Sequence, residues 1–82
     1  MAEGGTIMKY AVIIESGPRN FSAYVPDLPG CVATGHSVAE TRENIREAIA
    51  FHLRGMAEDG DPIPEPTCIG DNVEVPYPVL VA

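Results

Sequence analysis

The sequence is short of basic residues and of long apolar runs, and each shortage excludes a class of protein. Its 82 residues hold five Lys and Arg against twelve Asp and Glu, which gives a formal net charge of −7. Because phosphate backbones attract Lys and Arg, this balance argues against direct binding of nucleic acid. No apolar run approaches the ~18 residues that cross a bilayer. Residues 1–6 lack the basic and apolar regions of a signal peptide. We therefore expect a cytoplasmic protein without a membrane partner.

Cysteine is also scarce, and its positions fit neither a disulfide framework nor a metal site. The two cysteines, Cys31 and Cys68, form no C-x-x-C pair and are expected to be free thiols. Neither they nor the histidines, His36 and His52, stand at a metal-ligand spacing. Glycines outside the N-terminal tail occur singly, without the pattern that cradles phosphate. The sequence therefore predicts no metal and no cofactor.

No set of side chains matches an active site, so we expect a protein that is not an enzyme. Cys31 and His36 are separated by a strand-like segment, and residues five apart on a straight strand point to opposite faces. Paired carboxylates for nuclease chemistry would need Glu15 with Glu43 or Glu47. The two helical acids are predicted on the polar helix face, away from the sheet.

The chain length fits one domain, which we place at residues 7–82 after a mobile tail of residues 1–6. A domain this small buries only about 60% of the surface that its unfolded chain exposes. Small domains with marginal cores often gain stability by association. A homo-oligomer is therefore expected.

The first half of the domain predicts three strands. Residues 7–15 are rich in β-branched and aromatic side chains, and the apolar run over residues 10–14 predicts burial on both faces, hence a central strand. Residues 21–25 alternate apolar and polar positions and predict its hairpin partner. After a loop with two prolines, residues 31–35 predict a third strand.

A capped amphipathic helix follows. Ser37 and Glu40 match a capping box, and the helix is predicted to run to about Met56. One face carries the apolar stripe expected to cover the sheet: Val38, Thr41, Ile45, Ile49, Leu53 and Met56. Phe51 lies off this stripe, on the polar side, and is a predicted contact between copies.

The C-terminal part alternates β-like pieces with prolines. A proline-rich connection over residues 61–66 leads to two short pieces, residues 73–75 and 79–81, separated by prolines. Since proline donates no ladder hydrogen bond, they predict a short strand at an edge. Val79 and Val81 are predicted contacts between copies. Taken together, these strand and helix patterns predict an α+β domain of order β-β-β-α-β, with an antiparallel sheet packed on one long helix.

Residues 21–36, F-S-A-Y-V-P-D-L-P-G-C-V-A-T-G-H, resemble a known signature. The P-D-L-P-G-C…T-G pattern is similar to that of HicB-like antitoxins of type II toxin–antitoxin systems. The capped helix and the I-P-E-P run at residues 63–66 are similar too, so the resemblance spans about residues 8–66. It implies a degenerate RNase H-like fold. It also implies a function: neutralising a small basic, mRNA-cleaving toxin of the HicA type by covering its active surface.

The motif residues carried over by the resemblance form one loop and the strand after it: Pro26, Asp27, Leu28, Pro29, Gly30, Cys31, Thr34 and Gly35. With Tyr24, residues 26–30 are the predicted partner-binding residues. Asp27 is the strongest candidate because it is the only charge on a stiff loop. The prolines and glycines also fit a purely geometric role in that loop. The alternative function is a stand-alone HicB-like domain that binds another protein or a small ligand.

The chain departs from the family pattern in two places. Members often have an acidic residue and Thr where this chain has His36 and Ser37, so the role of His36 stays open, although Ser37 still caps the helix. Many members continue into a C-terminal DNA-binding domain of ribbon-helix-helix or helix-turn-helix type. The residues after Pro66 are fewer than such a domain needs, so no DNA binding is expected.

Overall fold

A computed structural model describes residues 7–78 of the chain. Residues 1–6 and 79–82 lie outside the described residues, and with them the predicted tail and the predicted contacts Val79 and Val81. The described elements follow in the order β1 (Ile13–Ser16), β2 (Phe21–Tyr24), β3 (Val32–Gly35) and α1 (Val38–Glu58). This order confirms the α+β class and the prediction of three strands before one long helix.

The three strands form an antiparallel sheet in the order β1-β2-β3, so β2 is the central strand. Its Ala23 stands opposite Ile14 on β1 and Ala33 on β3. The prediction that the first strand is central is wrong for the described sheet, where β1 lies at an edge and begins only at Ile13. The apolar run did not indicate burial on both faces. Tyr10, Val12 and Ile14 are half-buried on one face, against the core, while Ile13 is exposed.

The helix begins at the predicted cap. Ser37 has an extended backbone, and its side chain accepts a hydrogen bond of 3.0 Å from the Glu40 N–H. The Glu40 carboxylate accepts in return from the N–H of His36, one residue before the Ser37 N–H of a standard capping box. The helix ends at Glu58, two residues beyond the prediction, and Gly60 follows with a φ of 75°. Within residues 7–78, no helix combines the length and the apolar character needed to cross a bilayer.

The core lies between the helix and one face of the sheet. Its buried apolar members are Ala23, Val25, Leu28, Cys31 and Ile45. The helix packs mainly across β3 and β2 and touches β1 least. Gly35 makes this approach possible, because a Cβ there would fall 2.5 Å from Thr41 Oγ1. The T-G end of the motif therefore has a packing role at the first turn of the helix.

The predicted fourth strand is absent from the described residues. Residues 61–78 contain neither helix nor strand. Val73 and Val75, placed in a short edge strand by the sequence, are exposed. Within residues 7–78, the backbone of residues 69–78 makes no hydrogen bond to another segment. A strand needs a neighbouring strand, and this part of the chain has none.

Candidate partner-binding surface

One face of the sheet is not covered by the helix and carries a row of apolar side chains. Ile13 stands opposite Tyr24, and Tyr24 opposite Val32, so the row crosses all three strands. These side chains are 37%, 42% and 64% exposed, respectively. A second row is polar and exposed: Glu15, Ser22 and Thr34. We call these six residues the outer sheet face. Of these six, only Tyr24 was predicted from the sequence to bind a partner, although the alternation within each strand would have placed the other five on the same face.

The loop of residues 25–31 joins β2 to β3 and so connects Tyr24 with Val32, two members of the apolar row. It is built from two successive turns, in which the Leu28 N–H donates to the Val25 carbonyl (3.0 Å) and the Cys31 N–H to the Leu28 carbonyl (3.1 Å). Leu28 is only 1% exposed, so its side chain anchors the loop in the core and is not available to a partner. Gly30 has a φ of 85°, a conformation that favours glycine.

The predicted contacts in this loop therefore separate into two groups. Pro26, Pro29 and Gly30 are exposed beside Tyr24, at the surface, whereas Leu28 lies inside. A partner docking on the outer sheet face would meet the first group. The separation follows from the turns, which point the middle of the loop inward.

Asp27 has a role that the sequence did not predict. Its carboxylate accepts hydrogen bonds from the Thr67 N–H (2.9 Å), the Thr67 hydroxyl (2.5 Å) and the Cys68 N–H (3.1 Å). These bonds, led by that of the Thr67 side chain, lower the pKa of Asp27 below its ordinary value. Asp27 thus fastens the loop to the segment after the proline-rich connection.

A second bond fastens the proline-rich connection to the start of the domain. The Tyr10 hydroxyl donates to the Pro64 carbonyl at 2.6 Å. Burial, and then the charges of Glu65 and Asp27, raise the pKa of Tyr10. The chain is thereby held at two points, within the connection at Pro64 by Tyr10 and directly after it at Thr67 by Asp27.

The helix presents its own exposed side chains on the other side of the domain. Phe51 is exposed, in agreement with its place off the apolar stripe, and its role as a contact between copies stays a prediction. His36 Nδ1 lies 3.3 Å from the Glu40 carboxylate, and Arg46 Nε lies 3.4 Å from that of Glu43. Such exposed pairs stabilise a helix only weakly.

The comparisons with known proteins decide the family. A family model described as "HicB_like antitoxin of bacterial toxin-antitoxin system" matches residues 10–77. The chain belongs to the HicB-like antitoxin family. This confirms the resemblance in the P-D-L-P-G-C…T-G signature. The match also takes in the segment after the helix, which the structure leaves without strand partners.

Individual relatives of this HicB-like chain are found in a phage, bacteria and archaea. It is 36% identical over 69 residues to an uncharacterized 14.9 kDa protein of Haemophilus phage HP1, covering 84% of this chain and 52% of that protein. It is 40% identical over 47 residues to a UPF0150 protein of Helicobacter pylori, covering 57% of this chain and 65% of that protein. A UPF0150 protein of Thermoplasma acidophilum is 35% identical over 68 residues, covering 82% and 91%. The chain thus spans about half the length of the phage relative.

A solved structure is similar to the HicB-like chain as well. It is titled "HicA3 and HicB3 toxin-antitoxin complex" and matches with a TM-score of 0.64 and 32% identity, over 73% of this chain and 70% of that one. The likeness agrees with three antiparallel strands followed by one long helix.

Within residues 7–78, no group of three or more His, Cys, Asp and Glu converges on a common point. Cys31 is buried, and burial raises the pKa of its thiol, while Cys68 is exposed beside Asp27. The arrangement offers an apolar row, a stiff loop and surrounding acidic groups, which together suit a protein partner.

Proposed function

We propose that this chain is the antitoxin of a toxin–antitoxin pair and neutralises a small basic toxin of the HicA type by covering its active surface. Membership of the HicB-like antitoxin family carries the proposal. The structural likeness to a chain of a HicA3–HicB3 complex supports it. The net charge of −7 supports it independently, since an acidic surface speeds encounter with a cationic partner.

The outer sheet face with its neighbouring loop is the surface proposed to meet the toxin. Tyr24 lies at the centre of the apolar row, between Ile13 and Val32. Tyrosine is enriched among the residues that dominate binding energy, and central positions contribute most. Pro26 and Pro29 add rigid, exposed contact area, which limits the entropy lost on docking.

Asp27 contributes to this surface mainly by holding it in shape. Its oxygens already accept hydrogen bonds from Thr67 and Cys68, so few lone pairs remain for an Arg or Lys of the partner. Its negative charge still adds to the acidic potential of the loop. The contact proposed from the sequence is thereby refined into a positioning role.

The proposal describes binding without catalysis, in the cytoplasm, by a domain of degenerate RNase H-like type. Glu15 lies on the outer sheet face, whereas the helix with Glu43 and Glu47 packs on the opposite face. The sheet stands between these carboxylates, so they do not converge on one metal ion as a nuclease requires.

The test is titration of the purified chain with a small basic protein encoded beside its gene. Wild type is expected to bind it and to inhibit its RNA cleavage, with an affinity that falls as salt rises. Tyr24→Ala should weaken binding about 30-fold or more, as expected for a central aromatic anchor. Phe51→Ala is the matched control, because it removes an exposed aromatic on the helix, away from the sheet face. Equal effects of the two variants would remove the outer sheet face from the interface, and a basic neighbour that does not bind would contradict the antitoxin role.

A further inference from the structure

The outer sheet face combines two rows of different chemistry. The apolar row lies beside a polar row that is two residues away along each strand and consists of Glu15, Ser22 and Thr34. All three polar side chains are exposed. Protein interfaces commonly have an apolar centre bordered by polar groups, in which the polar groups contribute more to the choice of partner than to affinity. The polar row is therefore where the choice of partner would be made.

Glu15 carries the only charge among the six residues of the outer sheet face. Asp27, in the neighbouring loop, already accepts hydrogen bonds from the C-terminal segment. The acids of the helix lie on the opposite side of the sheet, where Glu40 and Glu43 have partners on the helix. Among residues 7–78, no base forms an ion pair with Glu15. Glu15 is thus the acid of this face that a cationic partner would meet.

Backbone pairing holds the polar row in one line. Glu15 stands opposite Ser22, and Ser22 stands opposite Thr34. The Thr34 carbonyl accepts a hydrogen bond of 2.8 Å from Asn44 Nδ2, which ties β3 to the helix. Neighbouring strands lie about 4.8 Å apart, so the row is about 10 Å long. Because the ladder fixes the backbone, only side-chain rotamers have to be ordered when a ligand binds here.

The aromatic ring of the apolar row lies within reach of the same carboxylate. Tyr24 is two residues from Ser22 on β2 and therefore stands diagonally across from Glu15. Diagonal neighbours on one face are about 7–8 Å apart, a distance that aromatic and long side chains bridge. Tyr24 is 42% exposed, so part of its side chain is open to a partner. A carboxylate, a hydroxyl and an aromatic ring thus meet on one exposed surface.

This combination suits a guanidinium better than an ammonium. A guanidinium is planar and binds a carboxylate through two parallel hydrogen bonds. Its remaining donors can reach the Ser22 hydroxyl, which stands opposite Glu15 and can accept. It also stacks on aromatic side chains, whereas an ammonium is a compact, strongly hydrated point charge that would use the carboxylate alone. The surface therefore favours Arg over Lys.

We propose that Glu15, Ser22 and Tyr24 form an arginine subsite by which this chain selects its toxin. The Glu15 carboxylate accepts two hydrogen bonds from a guanidinium of the toxin, the Ser22 hydroxyl accepts a third, and the Tyr24 ring packs on the arginine side chain. The subsite rests on the proposed function and adds the chemistry by which the outer sheet face recognises its partner. A basic protein without an arginine at this place would leave Glu15 desolvated and unpaired, so it would be rejected.

Two variants that change the net charge equally test the subsite. Glu15→Gln keeps the shape of the side chain and removes its charge, and Glu47→Gln does the same on the exposed side of the helix. In titration with the small basic protein encoded beside the gene, Glu15→Gln should raise the Kd at least about 30-fold, because a desolvated guanidinium loses its counter-charge. Glu47→Gln should raise it less than about threefold, because an exposed charge far from the contact is screened. Equal effects of the two variants would overturn the subsite, since the charge would then act only at long range.

A double-mutant cycle identifies the arginine. Each arginine of the basic protein is changed to lysine in turn, and binding to wild type and to Glu15→Gln is measured. One such change should weaken binding to wild type at least about tenfold and binding to Glu15→Gln less than about threefold, which is the coupling expected of a direct pair. Ser22→Ala should reduce this coupling, because one acceptor of the guanidinium is lost.

Failure of the subsite and failure of the antitoxin role give different results. If Tyr24→Ala weakens binding and Glu15→Gln does not, the arginine subsite is wrong and the antitoxin role stands. The subsite is also wrong if no arginine of the basic protein is coupled to Glu15. If the wild-type chain does not bind the basic protein, both proposals are overturned. Circular dichroism of each variant checks that the fold is unchanged, as expected for an exposed residue.

Discussion

The loop of residues 25–31 and the segment of residues 69–78 are alike in composition and differ in surroundings. Each has two prolines and several apolar side chains. In the loop, Val25, Leu28 and Cys31 are at most 4% exposed, whereas the apolar residues of the C-terminal segment are at least 75% exposed. Proline stiffens both segments equally, so stiffness alone does not give a segment its place in the fold.

The difference lies in the partners that each segment has. The loop has its own turn hydrogen bonds, a core that receives Leu28, and the Asp27 contacts to Thr67 and Cys68. Residues 69–78 have none of these within the described chain. Their regular alternation is nevertheless that of a strand. The comparison indicates that buried contacts and hydrogen bonds to other segments, and not proline content, fix a segment in this fold.

The largest expected effect is on the free energy of unfolding, and it distinguishes an apolar residue of the loop from one of the C-terminal segment. Leu28→Ala should lower the free energy of unfolding by about 2–5 kcal/mol, because it removes a fully buried side chain. Ile69→Ala, the matched change in the exposed segment, should alter it by less than about 0.5 kcal/mol. Urea denaturation at low protein concentration measures both. A large effect of Ile69→Ala would show that the exposed segment packs on its own chain and would break the comparison.

A smaller effect on stability is expected to distinguish Gly30 of the loop from Gly70 of the C-terminal segment. Gly30→Ala places a side chain on a residue with φ of 85° and should cost about 1–2 kcal/mol, although no atom would clash with the new Cβ. Gly70→Ala introduces only an ordinary contact with Ala11 and should change stability by less than about 0.5 kcal/mol. The same denaturation experiment applies, and Gly30→Asn is the control, since Asn tolerates this conformation better than Ala. A cost for Ala no greater than for Asn would contradict the backbone explanation.

Local patterns predicted much of this domain. The capping pair Ser37 and Glu40 located the helix start, and alternation gave β2 and β3. The apolar stripe gave the buried face of the helix except at Val38, which is 51% exposed in the first turn. The family signature located the loop that neighbours the outer sheet face. These features depend on residues a few positions apart, which is the range over which periodicity and capping act.

Contacts between distant parts of the chain were not predictable in the same way. The edge position of β1 depends on what lies beside it, and an apolar run does not distinguish packing against a helix from burial in a sheet. Asp27 and Thr67 are 40 residues apart, and an acid on a loop gives no sign of its acceptor role. The predicted fourth strand, which is absent from residues 7–78, has the same cause, because a strand pattern does not identify the strand with which it pairs.

The next comparison is between the hydroxyl groups of Tyr10, which is hydrogen-bonded, and Tyr77, which is exposed. Tyr10→Phe removes the hydroxyl that donates to the Pro64 carbonyl and should lower stability by about 1 kcal/mol, since a part-buried acceptor loses its donor. Tyr77→Phe should have no measurable effect in the monomer, because Tyr77 is exposed. Thermal denaturation checks both, with hydrogen exchange of the residues around Pro64 as a local measurement. Unchanged exchange in Tyr10→Phe would mean that other contacts hold the connection.

The smallest expected effect is the pH dependence of the Asp27 contact. This contact holds Thr67 and Cys68, directly before the exposed residues 69–78. Hydrogen bonds from Thr67 and Cys68 lower the pKa of Asp27, so its folded pKa lies below its unfolded one. Its stabilising contribution is therefore present above about pH 4 and is lost as the pH falls through the folded pKa. The global effect is small because solvent screens an exposed carboxylate.

A local measurement isolates this contact from other acids. Glu40 also has a lowered pKa, caused mainly by the hydrogen bond from the His36 N–H, so acid weakens the helix start in the same range. Amide signals of Thr67 and Cys68, followed from about pH 6 to pH 3, should shift and lose protection with the titration of Asp27. Asp27→Asn should show the loosened state already at neutral pH and no further change at these amides, whereas Asp71→Asn should behave as wild type, because Asp71 accepts only from its neighbour Asn72. Retained protection at Thr67 in Asp27→Asn would mean that the charge of Asp27 is not what holds this segment.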